Sequence, residues 1–254
     1  MVVRAVPDAS LSLTILGCSG SYPGPGEACS GYLVQAGQTN VVIDMGPGTL
    51  ANLQRHIDIG AIDAVILTHR HPDHWTDLAG LSVAWKYALN REGLLVYGTA
   101  ETRTLADELT SGLDPTITWI DSADHMVVEI GALRATFART DHYVETMAVR
   151  IDSVSTGQSL AYSADTGPDW SFASLGIGID LALCEATNLA IDEGMGVLHL
   201  SARQAGVMTK AAGVPRLVLT HLWPEGDPED YRAEAAEAFG GPVEIAMTNE
   251  RYEL

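Results

Sequence analysis

Along this chain, apolar runs of four to six residues alternate with stretches whose apolar positions recur every three or four residues. That pattern predicts short strands between amphipathic helices. LSLTIL (11–16), GYLVQA (31–36) and NVVID (40–44) form an opening strand group, interrupted by a loop rich in glycine and proline, GCSGSYPGPGEACSG. After Asp44, MGPGTLANLQRH reads as a turn and then a helix. A second block runs DAVILT (63–68), a histidine-rich loop, helix TDLAGLSVAWKYAL (76–89), strand LLVYG and helix AETRTLADEL. From 117 to 164, TITWI, MVVEI, ALRATFA, MAVRI and SLAYSA read as a meander of strands. Then come strand IDLALCE (179–185), helix SARQAGVMTKAAG (201–213) with Ser201 as N-cap and Gly213 just past its end, strand RLVLT (216–220), helix DPEDYRAEAAEAF (227–239) and a short closing strand, PVEIAM. Two strand-rich halves, each ending in helices, predict two sheets packed face to face with helices outside. No linker, repeat or low-complexity tract divides them, so residues 1–254 read as one domain.

Composition adds constraints on class and partners. The chain is 46% hydrophobic and 19% charged, a soluble globular composition, and no apolar run reaches the roughly 18 residues needed to span a membrane. The opening MVVRAVPDASLSLTIL carries proline and aspartate where an export signal needs an unbroken apolar region, so cytoplasm is the expected compartment. Three cysteines, Cys18, Cys29 and Cys184, lie in no C-x-x-C pair, and an odd number argues for buried or half-buried thiols rather than a disulfide framework. The formal charge is −19, from 33 acidic and 14 basic residues, and only Lys86 and Lys210 are lysines. Such a surface repels polyanions, so a large nucleic acid is not an expected partner, nor is a membrane.

The chemistry concentrates in THRHPDHW, where an apolar strand ends at Thr68 and His69, His71, Asp73 and His74 follow within six positions. One imidazole can be a core residue, whereas four metal-ligating side chains at the carboxyl edge of a strand point to a metal. His69 and His71, two apart on an extended segment, can grip one cation, while Pro72 stiffens a turn that sends Asp73 and His74 toward a second. Other element ends supply more ligands: His142 just before a strand, Asp165 just after one, and His221 at the end of RLVLT.

H-x-H-x-D-H followed by a lone His, an Asp and a final His resembles the metallo-β-lactamase fold superfamily of metal-dependent hydrolases. LGCSGS, VVIDMGPGT, DHYVETMAVRI, CEAT (184–187) and HLSARQAG (199–206) are similar to its ribonuclease Z and cyclic-nucleotide phosphodiesterase branch. The resemblance implies an α/β fold, an αββα sandwich of two mixed β-sheets face to face with helices on the outer faces. It also implies His69, His71 and His142 as ligands of one divalent ion, Asp73, His74 and His221 as ligands of a second, and Asp165 as the bridge. His199 becomes the proton donor or oxyanion contact, oriented by Glu185, and Asp73 orients the attacking water or accepts its proton. The competing reading of His199 is a helix-start residue packed on Trp223. Zinc is the ion that imidazole-rich ligation favours, with manganese and iron as alternatives.

The glycine-rich loops lack the lysine of a phosphate-binding loop and read as tight turns near the site mouth, and MGPGT reads as a helix start. Trp75, Tyr22 and Tyr143 adjoin candidate ligands or the opening loop and could either wall the pocket or stack on a base. Transfer-RNA 3′-end nucleases of this branch carry a long arm, commonly inserted between the lone His and the bridging Asp. Here His142 and Asp165 are only 23 positions apart (165 − 142), mostly filled by two strands. A small phosphodiester such as a cyclic nucleotide is therefore the expected substrate. A ribonuclease Z-type endonuclease and a lactonase or ester hydrolase of the same fold stand as alternatives, and a non-catalytic metal-holding module as a third. A homodimer is the working expectation for assembly.

Overall fold

Complete burial on both faces explains why the first strands read as unbroken apolar runs instead of alternations. The computed structural model describes residues 10–196 and 198–254; the part of the leader reading that rests on residues 1–9 lies outside the described residues. β1 (Leu11–Gly17), β2 (Gly31–Ala36), β3 (Thr39–Met45), β4 (Ala64–Leu67), β5 (Leu94–Gly98) and β6 (Ile117–Asp121) build the first sheet. β7 (Val127–Ile130), β8 (Leu133–Arg139), β9 (Met147–Ser153), β10 (Ser159–Tyr162), β11 (Leu181–Glu185), β12 (Leu217–Thr220) and β13 (Glu244–Ile245) build the second. β14 (Arg251–Glu253) returns to the first sheet and pairs antiparallel with β1.

Each sheet is antiparallel through β1–β3 or β7–β10 and parallel through β3–β6 or β10–β13. Between them lies a core that includes Leu13, Ile15, Tyr32, Ile43 and Ile66 from one side and Phe137, Val149, Leu160, Leu183 and Val218 from the other. The outer face of the first sheet is covered by α1 (Thr49–Leu53), α3 (Asp77–Val83) and α4 (Ala100–Thr110), through Leu53, Leu78, Leu81 and Ala106. α5 (Ala202–Ala211) and α6 (Pro228–Phe239) cover the second through Ala205, Met208, Tyr231 and Ala235. Ser201 caps α5 in a reciprocal pair with Gln204, and Gly213 at φ +69° follows its C-cap.

Four details depart from the sequence reading. TITWI does not belong to the meander: it is β6, a parallel edge strand of the first sheet, because its hydrogen bonds go to β5. PVEIAM does not close the chain; β14 does. The helix foreseen over 76–89 is α-helical only to Val83 and continues as a π-helical turn over Ala84–Ala88. Residues Pro72–Trp75 of the histidine-rich loop form a short helix, α2, with Pro72 at its first turn, where its missing N–H costs nothing. Among the described residues, no helix is long and apolar enough to cross a membrane.

Candidate metal centre

The parallel halves of the two sheets put their carboxyl ends on one rim, and the candidate side chains meet there. His69 and His71 follow β4, Asp73 and His74 lie on α2, His142 precedes β9, Asp165 follows β10, Glu185 ends β11 and His221 follows β12. Ligand atoms of His69, His71, His142 and Asp165 lie within 4.8 Å of one another, as do those of Asp73, His74 and His221, and those of Asp165, His199 and His221. The carboxylate of Asp165 joins the first two groups. Its Oδ2 is 3.4 Å from His69 Nε2 and 4.0 Å from His142 Nε2, whereas Oδ1 is 3.3 Å from His74 Nε2 and 3.5 Å from His221 Nε2.

Outer partners hold these rings in place. His74 Nδ1 donates to Asp44 Oδ2 at 2.7 Å, and His142 Nδ1 donates to the Leu198 carbonyl at 3.0 Å. The Thr68 hydroxyl lies 3.0 Å from both Asp44 oxygens and 3.0 Å from His69 Nδ1, so by giving its proton to Asp44 it accepts from the imidazole. Thr187 does the same between Glu185 Oε2 at 3.0 Å and His221 Nδ1 at 2.8 Å. With Nδ1 protonated, Nε2 of His69, His74, His142 and His221 carries the lone pair that faces the centre. Glu185 is fully buried, takes Nδ1–H of His199 at 2.9 Å and the Thr166 amide at 2.8 Å, and so steadies the residue after Asp165 as well.

The comparisons with known proteins identify the family. A family model for a β-lactamase superfamily domain matches residues 39–222. An uncharacterized protein of Mycobacterium tuberculosis is 38% identical over 258 residues, 96% of this chain and 93% of the relative. The chain belongs to the β-lactamase superfamily. Within the superfamily it is 31% identical to the probable metallo-hydrolase YhfI of Bacillus subtilis over 242 residues, 94% of this chain and 98% of that one. The crystal structure of YhfI matches with a TM-score of 0.88 at 30% identity over 96% of this chain and 100% of the other. Ribonuclease Z of Methanopyrus kandleri is 28% identical over 267 residues, 91% of this chain and 94% of its own. The αββα architecture implied by the motifs is thus the superfamily's own.

This superfamily member is a metallo-hydrolase, and two features of its centre fit divalent ions. Asp165 Oδ1 is buried and makes no hydrogen bond, an orphaned acceptor at the point where the histidines converge. The Nε2 atoms of His74 and His221 also converge there, 3.2 Å apart. The charges agree. Burial works against ionised Asp165, yet His221, His74 and His69 outweigh it and hold the carboxyl well below its ordinary range. Burial also works against a charged His74, yet Asp165, Asp73 and Asp44 raise its pKa well above the imidazole value, which shows how strongly this pocket attracts positive charge. His71 and His142 are pushed down to about 4 and about 3, chiefly by burial, and so stand neutral and ready to ligate. For His199, burial lowers the pKa and Glu185 overcomes it, leaving it raised to about 9.

A cleft of about 360 Å³ opens over the centre, with His71, Asp73, Asp165 and His199 at its floor and Ser21, Tyr143, Asn188 and Trp223 among its walls. Sequence reasoning placed every candidate side chain at this rim but missed three supports. Asp44 was read only as a strand end, although it holds His74 and the Thr68 amide together. Thr187, in CEAT, links Glu185 to His221. The Ser21 amide donates to Asp73 Oδ2 at 2.9 Å, so the glycine-rich loop braces this candidate ligand. The only sequence signal is that Asp44 lies at a strand end and Thr187 two positions past one, whereas Ser21 sits four positions beyond β1. His199 is no helix-start residue, since α5 begins at Ala202 after the Ser201 cap. Trp75 cannot stack on a base: it is buried, with Nε1 donating to the Arg70 carbonyl at 2.8 Å. At MGPGT the Leu50 amide is taken by Asp77 at 2.9 Å, so that helix start is already satisfied within the protein.

Proposed function

We propose that residues 1–254 form one hydrolase domain, a dinuclear metal-dependent phosphodiesterase acting on a cyclic nucleotide or a comparable small phosphodiester. His69, His71 and His142 would hold the first ion, Asp73, His74 and His221 the second, and Asp165 both, with zinc favoured by the imidazole-rich set. Two such ions supply Lewis acidity toward a phosphoryl oxygen and make water nucleophilic at neutral pH. The protein's own groups do the rest. Asp73, fixed by the Ser21 amide, orients the attacking water and accepts its proton. His199 keeps Nδ1–H on Glu185, which leaves Nε2 to hand a proton to the departing alkoxide. We place the enzyme in the cytoplasm, where the three free thiols would stay reduced.

The observation that carries this reading is the make-up of the cleft. His199, braced by Glu185, opens into it beside Asp165, and no lysine or arginine is among its described lining residues. A proton donor suits an alkoxide leaving group, and a cleft whose described lining has no lysine or arginine suits one phosphate rather than a chain of them. The span between His142 and Asp165 holds β9, a turn and β10, with no protruding arm, which supports a small substrate over a structured RNA.

The test is one metal-loaded sample assayed on cyclic AMP, cyclic GMP, bis-p-nitrophenyl phosphate, a lactone and a precursor transfer RNA. Turnover of the phosphodiesters without 3′-end processing is the expected result. Efficient cleavage of the precursor with inert cyclic nucleotides would reassign the protein to the ribonuclease Z activity, and lactone opening alone would reassign it to ester hydrolysis.

A further inference from the structure

Of the five tryptophans, Trp75, Trp85 and Trp170 are buried and Trp119 is half-buried, whereas Trp223 is 41% exposed. It lies at the mouth of the cleft, and two more large aromatic rings are near it or across from it. Tyr22 meets Trp223 edge-on, with centroids 5.4 Å apart and planes at 80°. Tyr143, 62% exposed, packs its ring against His142 and His71 at 4.6 and 5.0 Å. Trp223 is thus tied to the His221 side of the centre and Tyr143 to the His71–His142 side, and both line the same cleft.

The tryptophan is also held firmly. The Gly20 amide donates to the Leu222 carbonyl at 2.8 Å, the Gly226 amide donates to the Trp223 carbonyl at 2.9 Å, and Tyr22 packs against the indole in a T-shaped contact. A rigid, half-open indole loses little conformational entropy on binding a flat partner. Because the described lining has no lysine or arginine and its one raised imidazole, His199, sits at the floor beside Asp165, a ligand's non-phosphate part has to be recognised by something other than an ion pair.

We propose that Trp223, buttressed by Tyr22, is the platform on which the nucleobase of the substrate stacks, and that Tyr143 closes the opposite rim of this base subsite. The proposal rests on the phosphodiesterase reading for the identity of the ligand as a nucleotide. It adds which residues select a base-bearing diester over a bare one. Stacking reads a flat ring and not its hydrogen-bonding edge, so adenine and guanine are both accepted. Aromatic stacking of a base contributes enough that its loss costs about tenfold in recognition.

Trp223→Leu keeps an apolar wall and removes the stacking face, while Trp223→Phe keeps a face. The measured quantity is the preference for cyclic AMP over base-free ribose 3′,5′-cyclic phosphate, as a ratio of kcat/KM values. We expect that ratio to fall about tenfold in Trp223→Leu and to stay within about threefold of wild type in Trp223→Phe. In parallel, adenosine 5′-monophosphate should quench tryptophan fluorescence of the metal-loaded wild type and fail to quench Trp223→Leu. An unchanged ratio in Trp223→Leu, or quenching that is equal in both or absent from the wild type, overturns the subsite and leaves the phosphodiesterase reading untouched. A wild type that hydrolyses neither diester but shows the quenching difference supports the base subsite and sinks the phosphodiesterase reading instead.

Discussion

Asp44 ligates nothing in the proposed centre, yet it accepts from the Thr68 amide, the Thr68 hydroxyl and His74 Nδ1, with the Tyr162 hydroxyl at 3.3 Å. Replacing it with Asn keeps the volume and removes the charge that sets the His74 tautomer. The expected result for Asp44→Asn is a loss of roughly 10–100-fold in metal affinity, read by competition with a chromophoric chelator. An unaltered affinity would remove Asp44 from any role in orienting ligands. His199 is tested through chemistry instead. His199→Ala should retain its metal content and lose roughly 10²–10⁴-fold in turnover of substrates with alkoxide leaving groups. Nitrophenolate diesters need less protonation and should lose less; equal losses in both classes would rule out proton donation. Backbone strain is also concentrated here. Ser21, Asp44, Ala164 and His221, four of the eight non-glycine residues with positive φ among those described, lie at or next to the centre, at φ 63°, 59°, 51° and 57°. Such conformations persist only where the surroundings enforce them.

At the scale of elements, the centre depends on how closely α2 approaches the β3–α1 turn. A Cβ at Gly46 would lie 1.9 Å from the Asp73 carbonyl oxygen, and at 2.7 Å it would also meet the Cys29 side chain. Gly46→Ala therefore has to displace α2, which carries Asp73 and His74. The expected outcome is a folded protein that binds one equivalent of metal instead of two, measured by elemental analysis after gel filtration. Two full equivalents would show that α2 can shift without moving its ligands. The short helix itself was hidden from pattern reading: four residues are too few for an apolar period, and the proline that looked like a stiff turn serves equally well as a first helical residue. The π-helical turn at 84–88 escaped for a similar reason, because its apolar side chains satisfy a helical template whichever carbonyl each amide selects.

For the whole molecule, ions held at this centre would be thermodynamically linked to the fold. Three buried carboxylates, Asp44, Asp73 and Asp165, surround His74, and any cation bound only by the folded state stabilises that state. At free metal near 100 times the dissociation constant the gain is about 2.7 kcal/mol, which for a domain of this size corresponds to about 5–10 °C in Tm. Removal of metal by a chelator should lower Tm by about that amount, with recovery when zinc is restored; a Tm indifferent to chelation would contradict a metal centre held by these residues.

The sequence by itself determined the superfamily and the candidate positions for its chemistry. Ligating residue types at strand ends are a local signal, and each of His69, His71, Asp73, His74, His142, Asp165, Glu185, His199 and His221 is recognisable from its own few neighbours and their match to one family's motifs. Most strands were legible for the same reason, since burial on two faces leaves an unbroken apolar run. What tertiary structure alone decided was pairing. Whether TITWI joins β5 or the meander, and whether the chain ends at β13 or returns as β14 beside β1, depends on hydrogen bonds between segments distant in sequence, which no local pattern encodes. The same holds for the braces: Asp44 and His74 are 30 positions apart, and Thr187 and His221 are 34 apart. Their roles come into being only when the parallel halves of both sheets bring their carboxyl ends to one rim.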